Sequence, residues 1–251
     1  MVRAAMETAD AVRELRDRIR RLEQPRLRER TLPTLPGLAE LLPGGGLRPG
    51  ASYSIEGSAR LAMSLMVGPA SAGAWCGVVG MPEFGVEAAA GVGLELERVV
   101  LIPRPGEHWL AVTASLADAL SVVLVKPTAR VGHATASKLS ARLRQHDAVL
   151  IAFGDWPEAE ARLRLEEPRW QGLGQGSGHL TDCEATVTAV DRSGRSRSAR
   201  FSVGEASTGM FAVASDEVVS GRLESDTLHS GMRGLSGAVR AAGRSRLQRV
   251  S

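Results

Sequence analysis

From residue 51 to residue 153, short unbroken apolar runs alternate with longer stretches in which apolar residues recur every three or four positions. The runs predict strands at 51–55, 75–79, 98–102, 122–125 and 148–153. The longer stretches predict helices at about 60–72, 87–94, 107–120 and 134–145. Strands without polar alternation suit a sheet covered on both faces, and strand–helix alternation marks a parallel sheet in an α/β domain. Beyond Phe153 the pattern changes. Residues 161–166, 181–190 and 196–203 alternate or are β-branched, and Asp191-Arg-Ser-Gly194 predicts a hairpin turn between the last two. The glycine-rich residues 168–180 predict a flexible loop. Residues 31–42, with Pro33 and Pro36, read as a linker ending in a short apolar turn.

The two ends differ from this core. Ala5, Thr8, Val12, Leu15, Ile19 and Leu22 fall at alternating spacings of three and four, so residues 4–24 predict an amphipathic helix with a heptad-like seam. Two readings stay open: the helix docks on its own domain, or Val12, Leu15, Ile19 and Leu22 dock it on another subunit and support a homo-oligomer. After Gly204 the apolar density falls, and residues 232–251 carry Arg233, Arg240, Arg244, Arg246 and Arg249 without an acid. Such a stretch is a flexible tail or folds on a partner. Phe211, Leu223, Leu228, Leu235, Arg240 and Arg244 are its candidate contact residues. The chain thus divides into an N-terminal helical arm (1–30), an α/β core (31–204) and a C-terminal segment (205–251).

Composition narrows the chemistry. Hydrophobic residues make up 43% and charged residues 24% of the 251, as in an ordinary globular protein. Aromatics, at 4%, are too sparse for a base-stacking surface. The net charge is only +3, and its arginines gather at the ends, which leaves weak DNA contact through basic termini as one reading. Glu7, Asp10, Glu14, Asp17 and Glu23 interleave with the arginines of the first helix and favour a solvated face there. Cys76 and Cys183 lack CxxC or Cys/His spacing and read as reduced thiols. No histidine falls at ligand spacing with another ligand, so no metal site is expected. No apolar run reaches membrane-spanning length and no signal-peptide core opens the chain, so a cytoplasmic location is expected.

The stretch with most chemical content follows the first core strand. Starting at Gly57, the pattern G-x-x-x-x-G-K-[ST] finds its first glycine at Gly57 and its hydroxyl at Ser64. Ala62 stands at the second glycine and Met63 at the lysine. A phosphate-binding loop needs that lysine to reach the β- and γ-phosphates and needs glycine to bring backbone N–H groups close. Ser58 and Ser64 flank a helix start that suits an adventitious anion. The place of an ATP loop is present without its charge.

Read together, these residues resemble the RecA-like recombinase core. Leu41-Leu-Pro-Gly-Gly-Gly-Leu-Arg-Pro-Gly50 is similar to the glycine-rich turn before that family's first core strand, and Tyr53-Ser-Ile-Glu-Gly57 to the strand entering its P-loop. Glu83 stands where the family has its catalytic glutamate, Pro105-Gly-Glu107 resembles a turn before the next helix, and Ser121-Val-Val-Leu-Val-Lys126 resembles the Walker B strand. The resemblance covers roughly residues 38–203. It departs at Met63 and at Lys126, which replaces the aspartate that helps hold Mg²⁺. Only residues 127–132 and 154–159 stand where recombinases insert their two DNA loops.

Within that class the degenerate motifs, the arginine-rich first helix and the polar tail resemble the ImuA-type accessory proteins, in their actinobacterial ImuA-prime branch. The resemblance implies a non-catalytic adaptor in DNA-damage-induced translesion synthesis, part of the SOS response and its mutasome, associated with the nucleoid. Its implied partners are a Y-family polymerase-like subunit, an error-prone C-family polymerase reached indirectly, and RecA as a further candidate. It implies no cofactor, no catalytic residue and no nucleotide site at Gly57, Ser58, Ala62, Met63, Ser64 or Lys126, with Glu83 a remnant. Two alternatives are a RecA-superfamily ATPase with an atypical site and a DNA-binding protein using its basic termini. Among the tryptophans, Trp75 and Trp109 are expected in the core, while Trp156 and Trp170 are expected in loops as contact residues.

Overall fold

A computed structural model describes residues 31–171, 182–204, 212–213 and 219–222. The proposed N-terminal helix with its Val12/Leu15/Ile19/Leu22 seam lies outside them, as do Phe211, Leu223, Leu228, Leu235, Arg240 and Arg244. The core is one mixed sheet. Its parallel part uses strands β1 (Ser52–Glu56), β2 (Cys76–Val79), β3 (Val99–Ile102), β4 (Val122–Val125), β5 (Val149–Phe153) and β6 (Ala161–Gln171). Strands β7 (Asp182–Asp191), β8 (Arg195–Gly204), β9 (Ala212–Val213) and β10 (Val219–Arg222) extend it antiparallel. The order across the sheet is β10-β8-β7-β6-β1-β5-β4-β2-β3, with β9 pairing β8. The helices are α1 (Pro36–Leu41), α2 (Ala59–Ser71), α3 (Val86–Gly91), α4 (Trp109–Ala119) and α5 (His133–His146).

Alternation along the buried strands builds two cores, because successive side chains leave opposite faces. Tyr53, Ile55, Cys76, Val78, Leu124 and Ile151 join α1, α2 and α3 in one cluster. Val79, Val123, Val125, Leu150 and Ala152 join α4 and α5 in the other. The helices therefore sandwich the parallel part. On the second face Asp118 of α4, 8% exposed, is clasped by Arg142 of α5, whose Nε donates to Oδ1 at 2.5 Å while its terminal nitrogen meets Oδ2. His146 Nε2 lies 3.3 Å from the same carboxylate. A carboxylate on a helix, ordinarily solvated, is here the buried tie between two helices.

Beyond β6 only one face of the sheet is buried. Leu163, Val187, Ala189, Ala199 and Phe201 pack into the first cluster, while Arg162, Arg164 and Arg200 are exposed. The β7–β8 turn forms where expected. Asp191 Oδ1 accepts hydrogen bonds from Ser193 N (2.8 Å) and Arg195 N (3.0 Å), and Gly194 takes φ +76°. Those hydrogen bonds, the Ser193 hydroxyl foremost, hold the Asp191 carboxyl below its usual range.

Three expectations are corrected. Residues 31–42 are no linker: Leu32, Leu35, Leu38, Leu41 and Leu42 are buried, and Leu32 bridges to Leu47. Pro36 opens α1 and Pro43 opens the short turn after it, since proline fits a first helical position. The first part of 168–180 is strand, with Trp170 in β6 opposite Cys183, and an irregularity between Glu166 and Arg169 takes up the register shift. The segment after Gly204 is also not wholly a tail, because β9 and β10 pair with β8.

Candidate functional site

In an open α/β sheet, ligands collect at the carboxyl ends of parallel strands where neighbouring connections leave to opposite faces. Here that point lies between β1 and β5. The chain leaves β1 into α2 on the first face. It leaves β5 into residues 154–160, whose Trp156 packs on the second face. Around the point stand Glu56, Gly57 and Ser58 after β1, Phe153 and Gly154 at β5, Lys126 after β4 and Glu83 after β2.

The β1–α2 connection is two residues long. Gly57 turns the chain at φ +80°, and Ser58 caps α2 by accepting from Leu61 N–H at 3.1 Å. Ala62, Met63 and Ser64 lie inside α2, exposed by 0%, 3% and 0%. The Ser64 hydroxyl donates to the Arg60 carbonyl at 2.9 Å, a helix back-bond. The eight positions of the loop pattern therefore do not form a loop. Helix α2 begins immediately after Ser58, and the positions of the lysine and hydroxyl are turned into the core.

Opposite this junction Lys126 forms an ion pair and hydrogen bond with Glu83, and its ammonium lies 5.6 Å from the centre of the Phe153 ring. The Lys126 hydrogen bond holds the Glu83 carboxyl below its ordinary range. The close approach of β2 and β4 needs glycine. Gly80 has φ +75°, and a Cβ there would meet the Lys126 carbonyl at 2.6 Å. The nearby Glu56 carboxylate is 3.2 Å from Arg164 Nε. Each of these two carboxylates at the crevice thus has a cation of this chain beside it. Among the described residues no group of three histidine, cysteine or acidic side chains could hold a metal ion.

The residues 154–160 form a strap without a helix. Gly154 N donates to Ile55 O at 2.8 Å and Glu160 N to Ser52 O at 2.7 Å, so the strap is pinned to both ends of β1. Between these ends Ser54 Oγ donates to Gly154 O at 2.7 Å, and Gly154 and Glu158 take positive φ. Trp156, expected as a loop contact residue, is fully buried beneath this strap, and its Nε1 has no hydrogen-bond partner. Its apolar area outweighs one unpaired donor. Trp75 and Trp109 are half-buried against the second cluster.

At the other end of β1 a second polar cluster forms. Tyr53 Oη accepts from Arg48 N–H at 2.8 Å, and burial pushes its pKa up to about 12. Arg48 pairs with Glu160 at 3.1 Å, and Arg192 donates to the Glu160 region through its backbone at 3.2 Å. This cluster locks the strap to the hairpin turn. Sequence reading missed it, together with Arg164 and Phe153 at the crevice. The one available signal was the alternation Ala161-Arg-Leu-Arg164, which puts both arginines on one strand face.

Among the described residues no helix is long and apolar enough to cross a membrane. Residues 40–158 match the family described as the MT3502 N-terminal domain. Over 128 residues the chain is 35% identical to uncharacterized protein Rv3395c of Mycobacterium tuberculosis. That alignment takes in 49% of this chain and 63% of the relative's length. The family match runs from the end of α1 into the strap and so spans β1 to β5.

Proposed function

We propose that this protein is a non-catalytic RecA-like adaptor of DNA-damage-induced translesion synthesis. It would join a Y-family polymerase-like subunit, and through it an error-prone C-family polymerase, to each other and to RecA near the nucleoid. The observation that carries the non-catalytic part is the two-residue connection Gly57–Ser58 between β1 and α2. A triphosphate needs a loop that wraps it with backbone N–H groups, and a helix starting two residues after the strand leaves no such loop. The Glu83–Lys126 pair supports the same reading, since it neutralises the carboxylate and fills the place of a metal ligand with an ammonium. The RecA-like part is supported by the parallel order β3-β2-β4-β5-β1-β6, in which the strand at the P-loop position is central. Where a recombinase carries DNA loops, this chain has Lys126–Gly132 and the strap, both short and ordered. The adaptor part rests on the resemblance to ImuA-type proteins, and the similar Mycobacterium protein accords with its actinobacterial branch.

The test is a capture experiment with a Mg-ATP titration in parallel. The full chain is expected to retain a Y-family polymerase-like subunit without nucleotide and to show no saturable Mg-ATP binding. Turnover above background that disappears in Gly57→Asp would replace the adaptor with an atypical ATPase, and absence of capture would remove the partner assignment.

A further inference from the structure

We propose that the β3 edge of the sheet is a self-association surface, on which a second copy of this chain adds its own β3 antiparallel about a two-fold axis. Among the described residues β3 is an end of the sheet, with no strand on its outer side. The Ile102 carbonyl accepts from Gly80 N–H at 3.0 Å, so the backbone groups of even-numbered β3 residues face β2. Those of Val99 and Leu101 therefore face outward, because successive peptide groups of a strand point to opposite sides. The Val99 N–H is already taken up by Leu96 O in the preceding turn. The outward donor is then Leu101 N–H and the natural acceptor is the Val99 carbonyl. Pairing with Val100 opposite Val100 joins each Leu101 N–H to the other copy's Val99 carbonyl and leaves no donor of the edge unmatched.

Side chains point to the same occupant. Among the described residues the exposed large hydrophobics are Val86, at 43%, and Leu101, at 39%, and both belong to the β2–α3–β3 unit at this edge. On the other face Val100 is only half-buried beside Trp75 and Leu116. A four-residue apolar edge is a template for another strand. Charge selects an antiparallel copy of itself: exposed Glu97 precedes β3, Glu95 being paired with Arg98 at 3.6 Å, and exposed Arg104 follows it. In the register above, each Arg104 comes beside Leu96 and Glu97 of the other copy, so opposite charges meet at both ends. A parallel arrangement would set Arg104 against Arg104.

Analytical ultracentrifugation of the full chain over a concentration series tests this. A monomer–dimer equilibrium is expected. Arg104→Glu should weaken it at least about tenfold, since it removes a charge contact at both ends and introduces repulsion there. Adding Glu97→Arg to Arg104→Glu should restore it, because each copy then offers the reversed pair. Leu101→Pro removes the outward donor without touching the β2 ladder and should abolish the dimer. Should that proline variant unfold, shown by circular dichroism, the surface charge variants decide alone. A wild-type chain that stays monomeric to about 0.1 mM overturns the proposal. So does a dimer of unchanged strength in Arg104→Glu, which would place self-association on another surface.

Discussion

Placing a lysine at residue 63 tests whether the residues after β1 could serve as a phosphate loop. If one side chain were all that had been lost, Met63→Lys would return a phosphate ligand to an intact loop. The structure places Met63 in α2, 3% exposed, inside the first core cluster. A lysine there must lose its charge or drag water into the core. Holding it neutral at pH 7, against an ordinary pKa of about 10.4, costs roughly 1.36 kcal/mol for each of about 3.4 pH units, or about 4.6 kcal/mol. Its methylene stem retains most of the methionine's packing, so the total stays near about 5 kcal/mol. That is a large share of the roughly 5–15 kcal/mol that holds a typical domain together. For a chain of this size it corresponds to a fall in Tm of about 10–20 °C.

The sign of the pH dependence identifies the cause. A buried lysine has a folded-state pKa below its unfolded value, so the unfolded chain binds more protons and the variant gains stability as pH rises. Its deficit relative to wild type should shrink by about 1.4 kcal/mol per pH unit between pH 7 and pH 9. Urea melts at the two pH values measure this, with Met63→Leu as a volume-conserving control expected to lose less than about 1.5 kcal/mol. A Met63→Lys protein with the wild-type midpoint at pH 7 and saturable Mg-ATP binding would refute the reasoning. It would mean that residues 57–64 open into a loop.

Three further outcomes are expected. Asp118→Ala should cost about 2–3 kcal/mol in a urea melt, somewhat less than a sealed ion pair because Arg142 is partly exposed and rehydrates; an unchanged midpoint would deny the α4–α5 tie. Glu83 has a lowered folded-state pKa, so its contribution is present above the ordinary carboxylate pKa and lost as pH falls through the depressed value. A carboxyl-carbon NMR titration should find it returned to the ordinary range in Lys126→Met, and no change would show that the pair does not form in solution. Leu38→Ala should lose about 2–5 kcal/mol as a core truncation, whereas a residue in a linker would lose almost nothing.

The parallel half of the sheet was legible because its strands are bare apolar runs between amphipathic helices. Val122–Val125 is read to the residue and β1, β2, β3 and β5 lie within one position, while β6 runs on to Gln171, five residues past its expected end. What was not legible has a common physical origin. Residues 31–42 look like a linker because two prolines mask leucines whose burial depends on partners far along the chain. Asp118 looks solvated because its partners, Arg142 and His146, sit on a different helix. Met63 was recognised as a departure from a phosphate loop, but only the start of α2 at Ala59 shows that the loop itself is gone. Trp156 lies in a connection and was therefore assigned to the surface, yet a strap crossing a strand needs a large side chain beneath it. The short strands β9 and β10 gave too little pattern to stand out from a polar tail.

The place of β1 has a consequence for how the chain is made. Among the described residues it is the first strand to be synthesised, yet both neighbours, β5 and β6, follow about a hundred residues later. Until then its two hydrogen-bonding edges and the face carrying Tyr53 and Ile55 have no finished sheet to join. Parallel pairings of such separation form slowly, because a long loop must close before any contact rewards it. The strap then turns from a connector into a timer: β5 can dock as soon as it emerges, and β6 follows within seven residues to seal the other edge. A nascent chain halted between them would expose one open edge of β1, where aggregation or capture by a chaperone would concentrate.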